Sequence, residues 1–232
     1  GIMTQIPWKI LHQWGMEKKL NTIDENNTIV GTFFLEQDGH DKARMEINKL
    51  IDQSNFYLIG WREVPVDDSV LGPMAKDAQP KIFQLVIKGK NIPEDRIEAM
   101  GYILRKKIQI HLNATFGEQA TSVVSFSSKT IVYKGMLKSD ALESFYKDLS
   151  NPDYETLFSI YHRRFSTNTM PRWSLAQPMK ILGHNGEINT YLGNLNWEES
   201  RENSYESVKL GKEIKDILPI IDTSGSDSYA LD

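Results

Sequence analysis

Apolar positions along the chain change period several times, and each change marks a new element. Residues 29–35, Ile29-Val30-Gly31-Thr32-Phe33-Phe34-Leu35, form a short apolar and β-branched run that reads as a strand. Residues 41–55 read as a helix, because Met45, Ile47, Leu50 and Ile51 fall close to helical spacing. The aromatic run 56–61 predicts a buried strand, and 81–88 predicts another beyond a long connection over 65–80. Pro93 stands where a first-turn proline belongs. Behind it, Ile97, Met100, Leu104, Ile108 and Leu112 make one apolar stripe.

Two β-rich runs, 121–126 and 130–133, are separated by Ser127-Ser128-Lys129 and predict a hairpin. Ser139 is placed to cap a short helix carrying Leu142, Phe145, Tyr146 and Leu149. Residues 157–161 and 179–182 read as further strands, and 187–203 and 205–217 as closing helices. No element is assigned over the first twenty residues. Strands and helices alternate, which points to a mixed α and β domain.

At 232 residues with 40% hydrophobic side chains, the chain can bury a core without disulfides or structural zinc. That length suits one large domain or two small ones, and no repeat or low-complexity linker divides it. Cysteine is absent. This excludes a disulfide framework, thiolate metal sites, Fe–S ligation and a Cys nucleophile within these residues. The balance of 27 Lys and Arg against 31 Asp and Glu gives a net charge of −4, which argues against a general grip on nucleic acid. No apolar run approaches the roughly 20 residues of a membrane span, so no membrane partner is expected. The start, Gly1-Ile2-Met3-Thr4-Gln5-Ile6-Pro7, lacks a signal-peptide pattern and reads as cut from a longer parent. The expected compartment is the cytoplasm.

Polar, Gly and Asn residues are densest between Tyr161 and Trp197. His184-Asn185-Gly186 lies between an apolar run and a polar helix-like one, where an Asn side chain and a Gly N–H can aim at one point. Two such donors make an oxyanion hole, each worth about 2.7–4 kcal/mol in acyl transfer. Taken alone, the tripeptide reads first as a plain turn, because Asn-Gly is the commonest turn dipeptide. Arg163 and Arg164, followed by hydroxyl-bearing residues, suit bidentate capture of a carboxylate, or form a solvated pair at a strand end. Ser224-Gly225-Ser226-Asp227-Ser228 offers a carboxylate to an ammonium, or makes an ordinary Asx turn. His12, His40, His111, His162 and His184 show no metal-ligand spacing, so no metal is expected. Phosphate loops and the Gly-x-Ser-x-Gly elbow are absent as well.

In order along the chain stand RFSTNT (164–169), AQPM (176–179), LGHNGEINT (182–190), GNLNW (193–197) and GSDS (225–228). Outside this stretch lie GWREVPVD (60–67), LGPMA (71–75) and SFSSKTIVYKGML (125–137). Together these strings closely resemble the glutamine amidotransferase domain of the glutamate synthases. Such domains are class II amidotransferases of the N-terminal-nucleophile (Ntn) hydrolase type. The resemblance covers essentially the whole chain, as one partial domain over residues 1–232.

The resemblance implies an α+β fold, a four-layer αββα sandwich with two antiparallel sheets between helix layers. It also implies roles: Asn185 and the Gly186 N–H as oxyanion hole, and Arg164 on the α-carboxylate of glutamine. Thr167 and Asn168 would lie nearby, and Asp227 would pair with the α-ammonium. A zwitterion needs both charges met in a partly buried pocket. The family nucleophile is an N-terminal Cys upstream of the point where Gly1 begins, and neither Gly1 nor Thr4 can replace it. Arg163 stands where the family more often has Gln, and Tyr229 where a small residue is usual.

Glutamine and the remaining domains of a glutamate synthase large chain are the expected partners. FMN and an Fe–S cluster are expected in those other domains, with no cofactor in this chain. The isolated chain is expected to bind glutamine without turnover. Losing an upstream strand would leave it prone to self-association. The alternative is a non-catalytic amidotransferase-like module for binding or assembly. An upstream Cys-Gly in the coding sequence separates the two.

Overall fold

The computed structural model describes residues 1–20, 23–117, 121–165, 170–183, 186, 188–223 and 225–231. Strand β1 (Ile2–Gln5) leads through Pro7 into helix α1 (Trp8–Glu17). Then come β2 (Thr28–Leu35), α2 (His40–Asp52), β3 (Phe56–Glu63), α3 (Pro73–Asp77) and β4 (Lys81–Gly89). The long helix α4 (Ile97–Phe116) precedes β5 (Thr121–Ser127), β6 (Thr130–Tyr133), α5 (Leu142–Phe145) and β7 (Ser159–Tyr161). Helices α6 (Tyr191–Glu202) and α7 (Asp227–Leu231) complete the described elements.

The strands form two antiparallel sheets, one of four strands in the order β3-β4-β2-β5 and one of three in the order β6-β1-β7. All eight residues of β2 are buried, because this strand is covered on both faces. Ile29, Phe33 and Leu35 pack with Ala43, Ile47 and Ile51 of α2 and Leu104, Ile108 and Leu112 of α4. Val30 and Phe34, of the opposite parity, pack with Met3, Ile131 and Tyr133 of the three-stranded sheet. A strand covered on both sides must be apolar at both parities, which is why 29–35 reads as a continuous run. Helix α1 lies against the inner side of β3, where Gly60 leaves room for the Trp14 ring: a Cβ there would stand 3.2 Å from it. The result is the α+β architecture of two facing antiparallel sheets with helices, as the resemblance implies.

Between the sheets sits a buried polar group. The Arg62 guanidinium holds both carboxylate oxygens of Asp148 at 2.7 Å and donates to Gln84 Oε1 at 2.8 Å. Tyr133 donates its hydroxyl hydrogen to Asp148 at 2.9 Å and accepts from Gln84 Nε2 at 3.1 Å. Burial is the largest single influence and disfavours the Arg62 charge. The hydrogen bonds and the charge of Asp148 together outweigh it, with smaller help from Tyr133 and Glu17, and the Arg62 pKa lies above the ordinary value.

Several expectations are corrected. Strands β5 and β6 do not form a hairpin, because they belong to different sheets. The Ser127 hydroxyl accepts from the Lys129 and Thr130 N–H groups and fixes a corner that carries the chain from one sheet to the other. Ser139 does not cap α5, whose N-cap position is Ala141; its hydroxyl accepts from Arg163 instead. Residues 179–182 close a turn, with the Met179 N–H donating to the Leu182 carbonyl, and form no strand. The helix expected over 187–203 starts at Tyr191, after Thr190 in the left-handed region at φ 57°. Of 205–217, only Gly211–Ile217 is helical, and it is a 3-10 helix.

Candidate active site

The β1–β7 ladder ends in a closed pair. His162 donates its N–H to the Gly1 carbonyl at 3.0 Å, and Gly1 N donates back to the His162 carbonyl at 2.8 Å. Arg163 and Arg164 therefore emerge together at the end of the sheet, and there they part. The Arg163 guanidinium donates to Ser139 Oγ at 3.1 Å. Arg164 keeps an exposed side chain, while its backbone N–H donates to His162 Nδ1 at 3.2 Å. That contact makes Nδ1 an acceptor and leaves any ring proton on Nε2.

Both arginines line a cleft of about 420 Å³ whose wall also includes Gly1, Ser139, His162 and Gln177. Glycine is required at the first position. A Cβ on Gly1 would meet Lys134 Cβ at 2.5 Å, the Gln177 carbonyl at 2.7 Å and the Tyr133 carbonyl at 2.9 Å. Gln177, within the AQPM string, is 5% exposed, and its Oε1 is fully buried with no hydrogen-bond partner among the described residues.

Asp227 lines a second cavity, of about 700 Å³, between α4, α6 and the C-terminal segment. It opens α7, and its Oδ1 accepts from the Ser228 N–H at 2.7 Å. Ser226 caps the same helix, its hydroxyl accepting from the Tyr229 N–H at 3.2 Å. The GSDS string is thus both a helix start and the carrier of a carboxylate facing a cavity. Lys106, on the α4 wall, is 8% exposed and donates to the Ile220 carbonyl. Burial pushes its pKa down to about 8, with help from Arg105 and Lys180; Asp222 and Glu202 oppose the shift.

A small apolar cluster ties the two regions together. Leu175, Met179 and Tyr229 form it, with Phe165 and Leu182 packed against them. Phe165 follows Arg164, Met179 lies two residues after Gln177, and Tyr229 lies two after Asp227. Tyr229, the departure from the small residue usual in the resembling family, is a buried member of this cluster, and Lys180 Nζ stands 4.8 Å from its ring centroid.

Of the residues expected to act, Arg164 and Asp227 line different cavities. Gly186 is exposed, with open space where a Cβ would stand. Asn185, Thr167 and Asn168 lie outside the described residues. Among the described residues, no group of three His, Asp or Glu is arranged to hold a metal ion. Sequence reasoning left Gln177 and Ser139 without a place in the cleft. AQPM was visible as a string, but burial and a missing partner are properties of the folded chain.

The whole chain, residues 1–232, matches the model of the class-II glutamine amidotransferases. The chain belongs to that family. Among individual relatives, this class-II amidotransferase chain is 44% identical over 236 residues to a ferredoxin-dependent glutamate synthase of Cyanidium caldarium. It is 45% identical over 239 residues to ferredoxin-dependent glutamate synthase 2 of Synechocystis sp.. Against ferredoxin-dependent glutamate synthase 1, chloroplastic/mitochondrial, of Arabidopsis thaliana it is 44% identical over 235 residues. Each match covers 100% of this chain, and the amidotransferase chain spans only 14–15% of the length of these relatives.

Proposed function

We propose that this chain is the glutamine-binding portion of a glutaminase domain within a glutamate synthase. The family match over all 232 residues carries this reading, because the ordered motif strings fall inside it. In the parent polypeptide, an upstream Cys thiolate attacks the side-chain carboxamide of glutamine and expels ammonia. Water then cleaves the thioester to give glutamate, and the ammonia passes on to aminate 2-oxoglutarate. Arg164 receives the α-carboxylate, for which a guanidinium offers two parallel N–H donors. Asp227 receives the α-ammonium, and Asn185 with the Gly186 N–H stabilises the oxyanion.

Arg164 and Asp227 line two cavities, and the Leu175–Met179–Tyr229 cluster, with Phe165 packed against it, adjoins both: Phe165 lines the first and Tyr229 the second. FMN and an Fe–S cluster belong to the parent's other domains, since this chain has no Cys to ligate iron. The names of the relatives favour ferredoxin as electron donor.

A glutaminase assay tests the reading. The parent polypeptide is expected to release ammonia from glutamine, and the 232-residue chain to bind glutamine, by calorimetry, without hydrolysing it. Turnover by the 232-residue chain would remove the upstream thiolate from the scheme. Failure of both polypeptides to bind glutamine would remove the whole reading.

A further inference from the structure

The pairing of β7 with β1 ends at His162, whose N–H and carbonyl both bond to Gly1. Arg164 lies two residues beyond that pair. Its main chain is held by a side chain instead: the N–H donates to His162 Nδ1 at 3.2 Å. This is the i to i+2 contact of an Asx turn, with an imidazole nitrogen in place of an Asn oxygen. His162 thus belongs to the sheet through its main chain and reaches Arg164 through its ring. The two arginines differ at their far ends as well. Arg163 commits its guanidinium to Ser139 Oγ, whereas the Arg164 side chain is exposed and lines the same cleft. We propose that His162 is a positioning residue that fixes the main chain of Arg164 and so presents its guanidinium to the substrate α-carboxylate. The inference rests on the glutaminase reading above.

An exposed arginine samples many rotamers, and a mobile main chain beneath it multiplies them. Holding one residue's backbone in a single well is worth roughly a five- to thirtyfold difference in population. Only the held conformer has the guanidinium in place, so apparent affinity falls in proportion as that conformer becomes rarer. The α-carboxylate is remote from the amide bond that breaks, and a group gripping it holds ground state and transition state alike. Loss of the anchor therefore raises KM and leaves kcat unchanged.

The test uses the parent polypeptide, measuring kcat, the KM for L-glutamine and the melting temperature. His162→Phe keeps a ring but has no acceptor. It is expected to raise KM roughly five- to thirtyfold, with kcat within about twofold of wild type. His162→Asn has no ring but carries its acceptor, Oδ1, on Cγ as histidine carries Nδ1, and should hold KM within about threefold of wild type. A space-filling role predicts the reverse order, because Phe fills the site and Asn does not. If His162→Phe fails to fold, His162→Leu, also without an acceptor, takes its place with the same expectation. A double-mutant cycle checks the route: in an Arg164→Ala background, His162→Phe should change KM less than about twofold. An unchanged KM in His162→Phe, equal rises in both variants, a lost kcat in either, or additive losses in the cycle overturn the inference, while a wild type that hydrolyses glutamine leaves the glutaminase reading intact. A wild-type parent that neither binds nor hydrolyses glutamine overturns both.

Discussion

Arg62 and Lys106 are buried to the same degree, each 8% exposed, yet the regions around them treat a positive charge in opposite ways. Between the sheets, Arg62 meets a carboxylate on two parallel hydrogen bonds, with Gln84 and Tyr133 filling the remaining positions. Under the C-terminal segment, Lys106 meets a neutral carbonyl, with Arg105 and Lys180 close enough to repel it. The first cation is held charged and the second is pushed toward neutrality. Burial alone therefore does not set the state of a buried cation; the partner does. The inter-sheet layer holds its cation on a carboxylate, whereas the wall of the larger of the two cavities holds Lys106 on a neutral carbonyl.

Removing the partner from Arg62 is the severest way to break this contrast. Asp148→Ala leaves a guanidinium buried without its carboxylate and is expected to cost about 3–5 kcal/mol in chemical denaturation. Tyr133→Phe keeps the ion pair but takes one donor from Asp148 and one acceptor from Gln84. A loss of about 1.5–3 kcal/mol is expected, the range for hydrogen bonds to charged groups.

For Lys106 the expected signature is pH dependence. Its pKa is about 8 in the folded chain against the ordinary 10.5, so between those values the unfolded chain binds more protons. Stability should rise with pH across that window, the penalty being full below about pH 8 and gone near 10.5. Lys106→Met should flatten that rise in melting temperature relative to wild type; parallel curves would show that Lys106 carries no such penalty. The smallest net effect is expected from replacing the ion pair whole. Arg62→Met with Asp148→Leu should recover most of the Asp148→Ala loss, because a well-packed apolar pair is often no less stable than a buried ionic one.

Local pattern made much of the fold legible. The stripe from Ile97 to Leu112 lies on α4 with four of its five members buried, and the run 29–35 is β2. What pattern missed depends on distant parts of the chain. Arg62 and Asp148 are 86 residues apart, and no local signal joins them. Ser127-Ser128-Lys129, at the junction of β5 and β6, carries an ordinary turn signal, and only the membership of the two strands in different sheets decides that the chain crosses over there. In the first twenty residues β1 is only four residues long, too short to show a period, whereas α1 does carry helical spacing at Ile10, Leu11 and Trp14, which the sequence reading leaves unassigned. For the site, the strings marked a stretch of chain, but that Arg164 and Asp227 line different cavities is a property of the folded chain.

The topology of the three-stranded sheet also has a cost during synthesis. Strand β1 lies at the centre of that sheet, yet its neighbours β6 and β7 follow more than 120 residues later in the chain. At the roughly 5–20 residues per second of a translating ribosome, β1 waits on the order of ten seconds for its first partner. Throughout that delay both of its hydrogen-bonding edges are open, and Met3 is without the inter-sheet core that later buries it. A nascent-chain chaperone able to shield one short apolar strand should therefore raise the soluble yield of this fold.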